Sequence, residues 1–359
     1  MAARFFLGVG EACIAPGFAL VTGMFYKREE QPARQAAWFL GNCIANVIGG
    51  VVAYGIGHIK GTSVSTWQLI FLILGAVTCG IALVLFVILP DSPAKAIFLR
   101  KRERAIALQR TLTNKTGVMD TGKFKWEQAF MAIKDPQCWC LMLYNFCSCL
   151  CNGGITTFGT ILIRGFGYST LKSLLLQMPI GAAQIVFMVT TTIFTTYVPR
   201  TRVIMMMINT AASMIGMILV WKLDEDNKVG RLVGISLGGV FAANIPLSLS
   251  LVSSNVAGFT KRSTVSALLF IAYCVGNIVG PQFFLSSEEP SYPTGMKSAI
   301  SGLALGVFFL ILLLVYYIFE NNRRDRMYGP PSQLAESEEL EQELSNKTDT
   351  EISSFRYVL

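Results

Sequence analysis

Charged side chains are scarce in this sequence, and histidine is almost absent. Lys, Arg, Asp and Glu supply 14% of the 359 residues, while hydrophobic residues supply 53%. So little charge excludes a large soluble domain with an ordinary polar surface. The single histidine, His58, leaves neither a histidine pair for zinc nor a visible nucleophile and base pairing. We therefore expect no metal site, no cofactor and no enzymatic activity.

The sequence instead contains apolar runs of about twenty residues, enough to cross a bilayer core of roughly 30 Å. Only Glu11, out of 30 basic and 22 acidic residues, lies inside such a run. This is expected where a buried charge costs at least about 2.5 to 3.5 kcal/mol. The pattern predicts an all-α membrane protein with nine transmembrane helices. They are placed at 5–25, 35–57, 67–89, 138–163, 173–196, 203–221, 232–256, 264–286 and 298–319.

Basic residues are distributed unevenly among the loops. The segments 26–34, 90–137, 197–202, 257–263 and 320–359 hold 22 Lys and Arg, against seven in the opposite loops, with Arg4 the remaining one of 30. The positive-inside rule therefore places the long loop and the C-terminus in the cytosol. Orientation also explains the net charge of +8, so no nucleic-acid partner is expected. The acidic stretch 336–351 is predicted to be disordered.

The order of three spans, a long basic loop and six spans resembles two six-helix halves with half of the first half absent. Major facilitator transporters have this plan. The resemblance implies a major facilitator fold lacking transmembrane helices 1 to 3. A signal peptide is the competing explanation of the first apolar run, but Glu11 and Pro16 interrupt it. The predicted units are helices 4 to 6 at 1–89, a cytosolic central loop at 90–137, helices 7 to 12 at 138–319, and a disordered cytosolic tail at 320–359.

Several motifs resemble one branch of that superfamily. The opening RFFLGVGE at 4–11 resembles the fourth helix of anion:cation symporters, in which an Arg is followed seven residues later by a Glu. Other stretches are similar to the fungal allantoate permease group, in the same order and with the same spacing. They are LPDSP at 89–93, NGGIT at 152–156, GFGY at 165–168, NVAGFTKR at 255–262, YCVGNIVGPQ at 273–282 and FRYVL at 355–359.

Arg4 and Glu11 are the charged candidates for transport. They are seven residues apart, so they share one helical face at about 10 Å from each other along the axis. The resemblance implies that Arg4 attracts an anionic substrate and that Glu11 carries the coupling proton. The alternative is that the two charges only balance each other within the bundle.

Uncharged polar side chains repeat this spacing on other spans. They could line the cavity with hydrogen-bonding groups for a ureido or amide substrate, or form interhelical contacts worth about 0.6 kcal/mol each. Asn152 precedes a predicted helix break at Gly153 and Gly154, and Asn277 precedes another at Gly280 and Pro281, so these two rank first. The candidates for substrate binding are Arg4, Asn42, Asn145, Asn152, Gln177 and Asn277.

Charged residues in the short basic loops are candidates for a cytosolic gate. Glu29, Arg34, Arg200 and Arg202 could form ion pairs that close the inward side. Orientation alone would also account for the positive charges.

The function implied by the resemblance is proton-coupled uptake of a small organic anion, such as allantoate or a ureido acid, by alternating access. The expected setting is a monomer in the lipid bilayer of a fungal plasma membrane. The alternatives are a truncated membrane protein that does not transport, and a transporter of a vitamin (nicotinate or pantothenate) or a short peptide.

Overall fold

The computed structural model describes residues 2–12, 14–26, 30–59, 65–90, 93–112, 124–224, 226–289, 291–329, 347–353 and 355–359. All regular elements in these ranges are helices. Short 3-10 turns lie at Pro93–Lys95, Val240–Ala243, Gly280–Phe283 and Ser286–Glu288. The α-helices are α1 (Ala2–Ala12), α2 (Ile14–Phe25), α3 (Gln31–Gly57), α4 (Thr66–Ile88), α5 (Lys101–Leu112), α6 (Trp126–Lys134), α7 (Pro136–Gly165), α8 (Thr170–Leu175), α9 (Met178–Tyr197), α10 (Arg202–Lys222), α11 (Lys228–Gly238), α12 (Asn244–Asn255), α13 (Phe259–Val279) and α14 (Pro293–Tyr328).

Eight helical segments among the described residues are long and apolar enough to cross a membrane. They coincide with eight of the nine predicted spans. The first predicted span corresponds to α1 and α2, which have 11 and 12 residues and flank residue 13, itself outside the described residues. Neither segment alone reaches the length that a bilayer core requires. The ninth span therefore stays a prediction.

The predicted helix break at Gly153 and Gly154 is wrong, because α7 runs without interruption from Pro136 to Gly165. The two glycines instead allow a close helix contact. A Cβ atom on Gly153 would lie 2.7 Å from Pro281 Cδ, and one on Gly154 would meet the Phe284 ring. Because these two residues of α7 have no side chain, the bulky residues that follow α13 can pack directly against the α7 backbone.

Two other spans are broken. The helix α13 ends at Val279, and the predicted break follows as the 3-10 turn Gly280–Phe283, where proline cannot donate a backbone hydrogen bond. The span Lys228–Asn255 is broken as well, because the turn Val240–Ala243 separates α11 from α12. This second break was not predicted.

The helix α7 lies at the centre of the C-terminal part of the bundle, packed against α13 and α14. One buried apolar cluster surrounds Tyr144 and Tyr317 towards the start of α7. A second surrounds Phe166 and Phe284 towards its end. Together they hold α7, α10, α13 and α14 in one unit.

A third buried cluster joins α3 to α9 and to the 3-10 turn before α12, through Phe39 and Cys43 on one side and Met188 and Ala243 on the other. Small residues allow these helices to approach. A Cβ atom on Gly181 would lie 2.9 Å from the carbonyl oxygen of Cys43. This contact connects the part of the chain before the central loop with the part after it.

The prediction of a disordered tail over 320–359 is wrong for the residues that the structure describes. The helix α14 continues to Tyr328, with Glu320 and Arg324 buried and paired at 3.0 Å. Residues 347–353 and 355–359 pack against the bundle, where Asp349 and Tyr357 are buried. Local composition could not predict this ordered structure, because the residues that bind the tail lie far from it in the sequence. Of the acidic stretch 336–351 that was predicted to be disordered, residues 336–346 lie outside the described residues.

Candidate functional site

A small cavity lies between α7 and the broken span α11–α12. Tyr144, Asn145, Ser148 and Cys149 line it from α7. Phe241, Asn244 and Ile245 line it from the 3-10 turn and from the start of α12. None of the lining residues that the structure describes is charged, so these residues offer only neutral hydrogen-bonding groups and apolar surface.

Asn244 anchors the polar wall of this cavity. Its side-chain nitrogen lies 2.7 Å from the Tyr144 hydroxyl and 3.0 Å from Thr210 Oγ1, and its Oδ1 accepts from Asn209 Nδ2 at 2.8 Å. Asn209 in turn donates to Thr191 Oγ1 at 3.0 Å. Buried amides are costly unless they are paired, and here the protein itself pairs them. The network therefore positions the cavity wall.

Asn145 differs from Asn244 in having a free carboxamide. It is buried, with 6% of its surface exposed, and it lines the cavity. Among the described residues, its side chain makes no hydrogen bond, whereas its backbone carbonyl accepts from Ser148 Oγ at 3.1 Å. An amide next to a cavity with its donors and acceptor unused is suited to bind a polar ligand.

The two leading candidates for substrate binding, Asn152 and Asn277, form a hydrogen bond with each other. Asn152 Nδ2 donates to Asn277 Oδ1 at 2.7 Å, and Asn277 Nδ2 donates to the carbonyl oxygen of Tyr273 at 2.8 Å. Both asparagines are half-buried. The bond joins α7 to α13 beside Gly153, one turn before the 3-10 break. In this conformation their first role is to connect helices.

The remaining uncharged candidates lie apart from the cavity wall. Gln177 donates to Thr160 Oγ1 on α7. Gln184, which lies seven residues after Gln177 and is not itself a candidate, accepts from Asn46 Nδ2 at 3.0 Å and donates to the Gly239 carbonyl at 3.1 Å, so it links α3 to the break in α11–α12. Asn42 is exposed on α3.

The charged candidates lie at the N-terminal part and in the loops. Arg4 and Glu11 are both on α1, where Glu11 is exposed and the side chain of Arg4 is outside the described part. Glu29 is also outside it. The guanidinium of Arg34 lies 4.7 Å from the Tyr26 ring, and Arg200 is exposed at a backbone φ of 63°.

Arg202, the fourth predicted gate residue, binds within its own half of the bundle. It donates to Ser250 Oγ at 3.1 Å and to Ser254 Oγ at 2.8 Å, both on α12. Its backbone N–H donates to the Leu359 carbonyl at 3.1 Å.

Sequence reasoning did not find Tyr144, Asn209 or Asn244. Asn244 follows the Gly238 and Gly239 pair and precedes Pro246, and that combination could have indicated a broken span with a polar residue at its edge. Tyr144 carried no such signal.

Residues 1–281 match the sequence profile of the Major Facilitator Superfamily. The chain belongs to this superfamily. Proteins of this superfamily that resemble the chain are transporters and not enzymes, and the eight apolar helices make it a multi-pass membrane protein.

Two curated relatives are similar to this major facilitator protein over almost its whole length. An uncharacterized transporter of Schizosaccharomyces pombe is 39% identical over 354 residues, which are 99% of this chain and 67% of the relative. The allantoate permease of Saccharomyces cerevisiae is 31% identical over 364 residues, which cover 99% of this chain and 66% of the permease. The chain thus spans about two thirds of the length of these relatives.

A solved structure supports the same fold. The proton:xylose symporter of the superfamily, bound to 6-bromo-6-deoxy-D-glucose, superposes with a TM-score of 0.55 at 14% sequence identity. The superposition covers 87% of this chain and 67% of the symporter. At this identity the likeness concerns the fold alone.

Proposed function

We propose that this major facilitator protein takes part in proton-coupled uptake of a small organic anion, allantoate or a related ureido acid, by alternating access. The observation that carries the proposal is the free carboxamide of Asn145 at a neutral cavity between α7 and α12. A ureido group has N–H donors and a carbonyl acceptor, so it can satisfy both ends of one carboxamide. The likeness to an allantoate permease supports the same substrate class.

Recognition of the anionic group and coupling to protons are assigned to α1. Since none of the described lining residues is a cation, we assign the positive partner of the substrate carboxylate to Arg4. Glu11, seven residues later on the same helical face, is the candidate for binding and releasing the proton. Asn152 and Asn277 become additional substrate contacts if their mutual bond opens during the cycle. Gln177 and Asn42 are assigned to the cavity in other conformations.

The topology that we propose contains nine spans, with α1 and α2 forming one continuous crossing. These spans correspond to helices 4 to 12 of the twelve-helix plan. The loop at 90–137 and the C-terminus face the cytosol of a plasma-membrane monomer, as the 22 to seven distribution of basic residues supports. Glu29, Arg34, Arg200 and Arg202 form the cytosolic gate in this proposal.

The proposal is tested by uptake of labelled allantoate into a fungal strain that lacks its own allantoate uptake. Asn145→Ala should reduce uptake roughly tenfold or more, since a buried amide contact to substrate is lost. Asn322→Ala is the matched control, because Asn322 is exposed on α14 and has no part in the proposed site, and it should stay within about twofold of wild type.

Competition separates the candidate substrates. Excess unlabelled allantoate should abolish the signal, while nicotinate, pantothenate and a dipeptide should leave it unchanged. Strong competition by one of these three compounds would move the substrate class to a vitamin or a peptide. Wild-type protein that reaches the membrane without any uptake would instead favour the non-transporting alternative.

Glu11→Gln tests the coupling assignment separately. The variant should equilibrate substrate without concentrating it. Continued accumulation against the gradient would show that Glu11 does not carry the proton.

A further inference from the structure

The end of the chain forms a feature that the transport proposal does not use. Residues 347–353 and 355–359, which we name the terminal strap, lie against the end of the bundle where α7, α10 and α13 begin. The strap also contacts the end of α12 and the last turns of α14. It therefore touches five helices of the same half, and Thr348 also contacts Met131 on α6.

The strap inserts one acidic side chain into a buried ion cluster. Asp349 has no exposed surface, and its Oδ1 lies 2.7 Å from the ammonium group of Lys261, which is itself fully buried. Lys261 also pairs with Asp135 at 2.6 Å. The Tyr357 hydroxyl donates to Asp349 Oδ2 at 2.9 Å, and Gln137 Nε2 donates to the same oxygen at 3.2 Å. Such complete pairing is what allows a carboxylate to be buried.

Side chains of the bundle form hydrogen bonds with backbone groups of the strap. Asn255 donates to the Val358 carbonyl and accepts from the Val358 N–H, both at 2.8 Å. Asn321 does the same at Tyr357, at 2.9 and 2.8 Å. Paired amide contacts of this kind imitate the partner strand in peptide recognition by strand addition.

Arg324 closes the other side of this surface. Its Nη1 lies 2.8 Å from the carbonyl oxygen of Asp349, 3.3 Å from that of Ile352 and 3.2 Å from that of Phe355. The ring of Tyr357 stacks on that of Tyr317, with 5.1 Å between centroids. Peptide-binding grooves combine the same two features, which are hydrogen bonds to the peptide backbone and an adjacent aromatic pocket.

We call the surface of the bundle that contacts the strap the groove. The buried charges of the groove remain paired with each other when the strap is absent. Without Asp349, Lys261 and Asp135 still form a neutral pair, and Arg324 still pairs with Glu320 at 3.0 Å. The strap adds a second carboxylate to one lysine, at the cost of desolvating it. The strap can therefore leave without stranding an unpaired buried charge in the bundle.

We propose that this end of the bundle is a peptide-binding groove whose ligand is the chain's own terminal strap, with Asp349 as the recognised side chain. Docking of the strap ties α7, α10, α12, α13 and α14 together at this end. Its release removes these polar ties, while the two apolar clusters still hold the helices together along their length. The strap is thus a conformational switch, and its test needs no substrate.

Hydrogen exchange of the full chain in nanodiscs provides the test. Asp349→Asn and Lys261→Met should each accelerate exchange at Tyr357 and Val358 by roughly tenfold or more, because each removes one partner of a buried pair. Asp325→Asn is the matched control. Asp325 binds Arg356 of the strap at 2.7 Å but is half exposed, so its loss should change exchange by less than about threefold.

Protection in the interior of α7 reports whether each variant is folded. If a variant loses this protection too, the result is decided by competition on the wild-type chain. A free peptide with the sequence of 347–359, at millimolar concentration to match a tethered ligand, should accelerate exchange of the strap. The same peptide with Asp349→Asn should not.

Unchanged exchange in folded Asp349→Asn, or equal displacement by both peptides, would overturn the role of Asp349. If neither peptide displaces the strap, the groove is a permanent part of the core and the switch is disproved.

Discussion

Asn152 and Asn277 share a hydrogen bond of 2.7 Å across the contact between α7 and α13. They are 125 residues apart in sequence. Beside this bond, Gly153 faces Pro281 at the 3-10 break that follows α13. A hydrogen bond and a close packing contact thus lie at the same level of the bundle. Helices in a lipid bilayer depend on such contacts, because the hydrophobic effect does not drive them together there.

The bond predicts coupled stability effects. Asn152→Ala and Asn277→Ala should each lower the free energy of unfolding by about 0.6 to 1.7 kcal/mol, and the double variant should lose little more than either single one. Unfolding in bicelles with denaturant measures the four proteins. Additive losses would mean that the two side chains act independently. Asn42→Ala provides the comparison for a simple loss of an exposed amide.

Gly153→Ala should destabilise the bundle. The added Cβ would lie 2.7 Å from Pro281 Cδ and 2.9 Å from the Asn277 carbonyl oxygen, so one helix must shift, at a cost of about 1 to 3 kcal/mol. Thermal unfolding in detergent measures the loss. Gly80→Ala on α4 is the control, because nothing lies within 4 Å of its new methyl group. Equal melting temperatures for Gly153→Ala and Gly80→Ala would contradict the close contact.

Asn244 and Asn145 should separate stability from ligand binding. Asn244→Ala leaves the Tyr144 hydroxyl and the Asn209 amide without their partner, so it should cost about 1 to 3 kcal/mol. Asn145→Ala removes a side chain without such bonds and should change the melting temperature by a few degrees at most. The measurement is thermal unfolding of both variants without substrate. A larger loss for Asn145→Ala would mean that its carboxamide is structural.

Glu288 gives a prediction for pH dependence. Hydrogen bonds from the Thr294 hydroxyl and backbone N–H, at the start of α14, lower the pKa of the Glu288 carboxyl from its ordinary value of 4.5. A lowered pKa in the folded state adds stability above pH 4.5, which is lost as the pH falls through the folded value.

Melting temperatures of wild type and Glu288→Gln test this. Wild type should melt higher near neutral pH, and the difference should shrink on acidification below about pH 4.5. Thr294→Val, which removes the hydroxyl that donates to Glu288, should reduce this pH-dependent difference. A gap between wild type and Glu288→Gln that grows in acid would refute the assigned sign.

The positions of eight of the nine predicted membrane spans followed from the sequence alone. Each span must satisfy its own backbone and face lipid with apolar side chains, so local composition is sufficient to place it. The scarcity of charge excluded a soluble domain, and the motifs at 152–156 and 273–282 led to the correct superfamily. The break after Asn277 was also predictable, because proline has the same local effect in any context.

The partners of the polar side chains required the tertiary structure. Nothing local to Asn152 indicates a bond with Asn277, and the glycines next to it were interpreted as a break although they make room for Pro281 and Phe284. Lys261 and Asp349 are 88 residues apart, so local composition could not show that Asp349 is buried and paired. Local sequence determines whether a segment enters the membrane, whereas pairing between distant residues depends on which helix faces are brought together by packing.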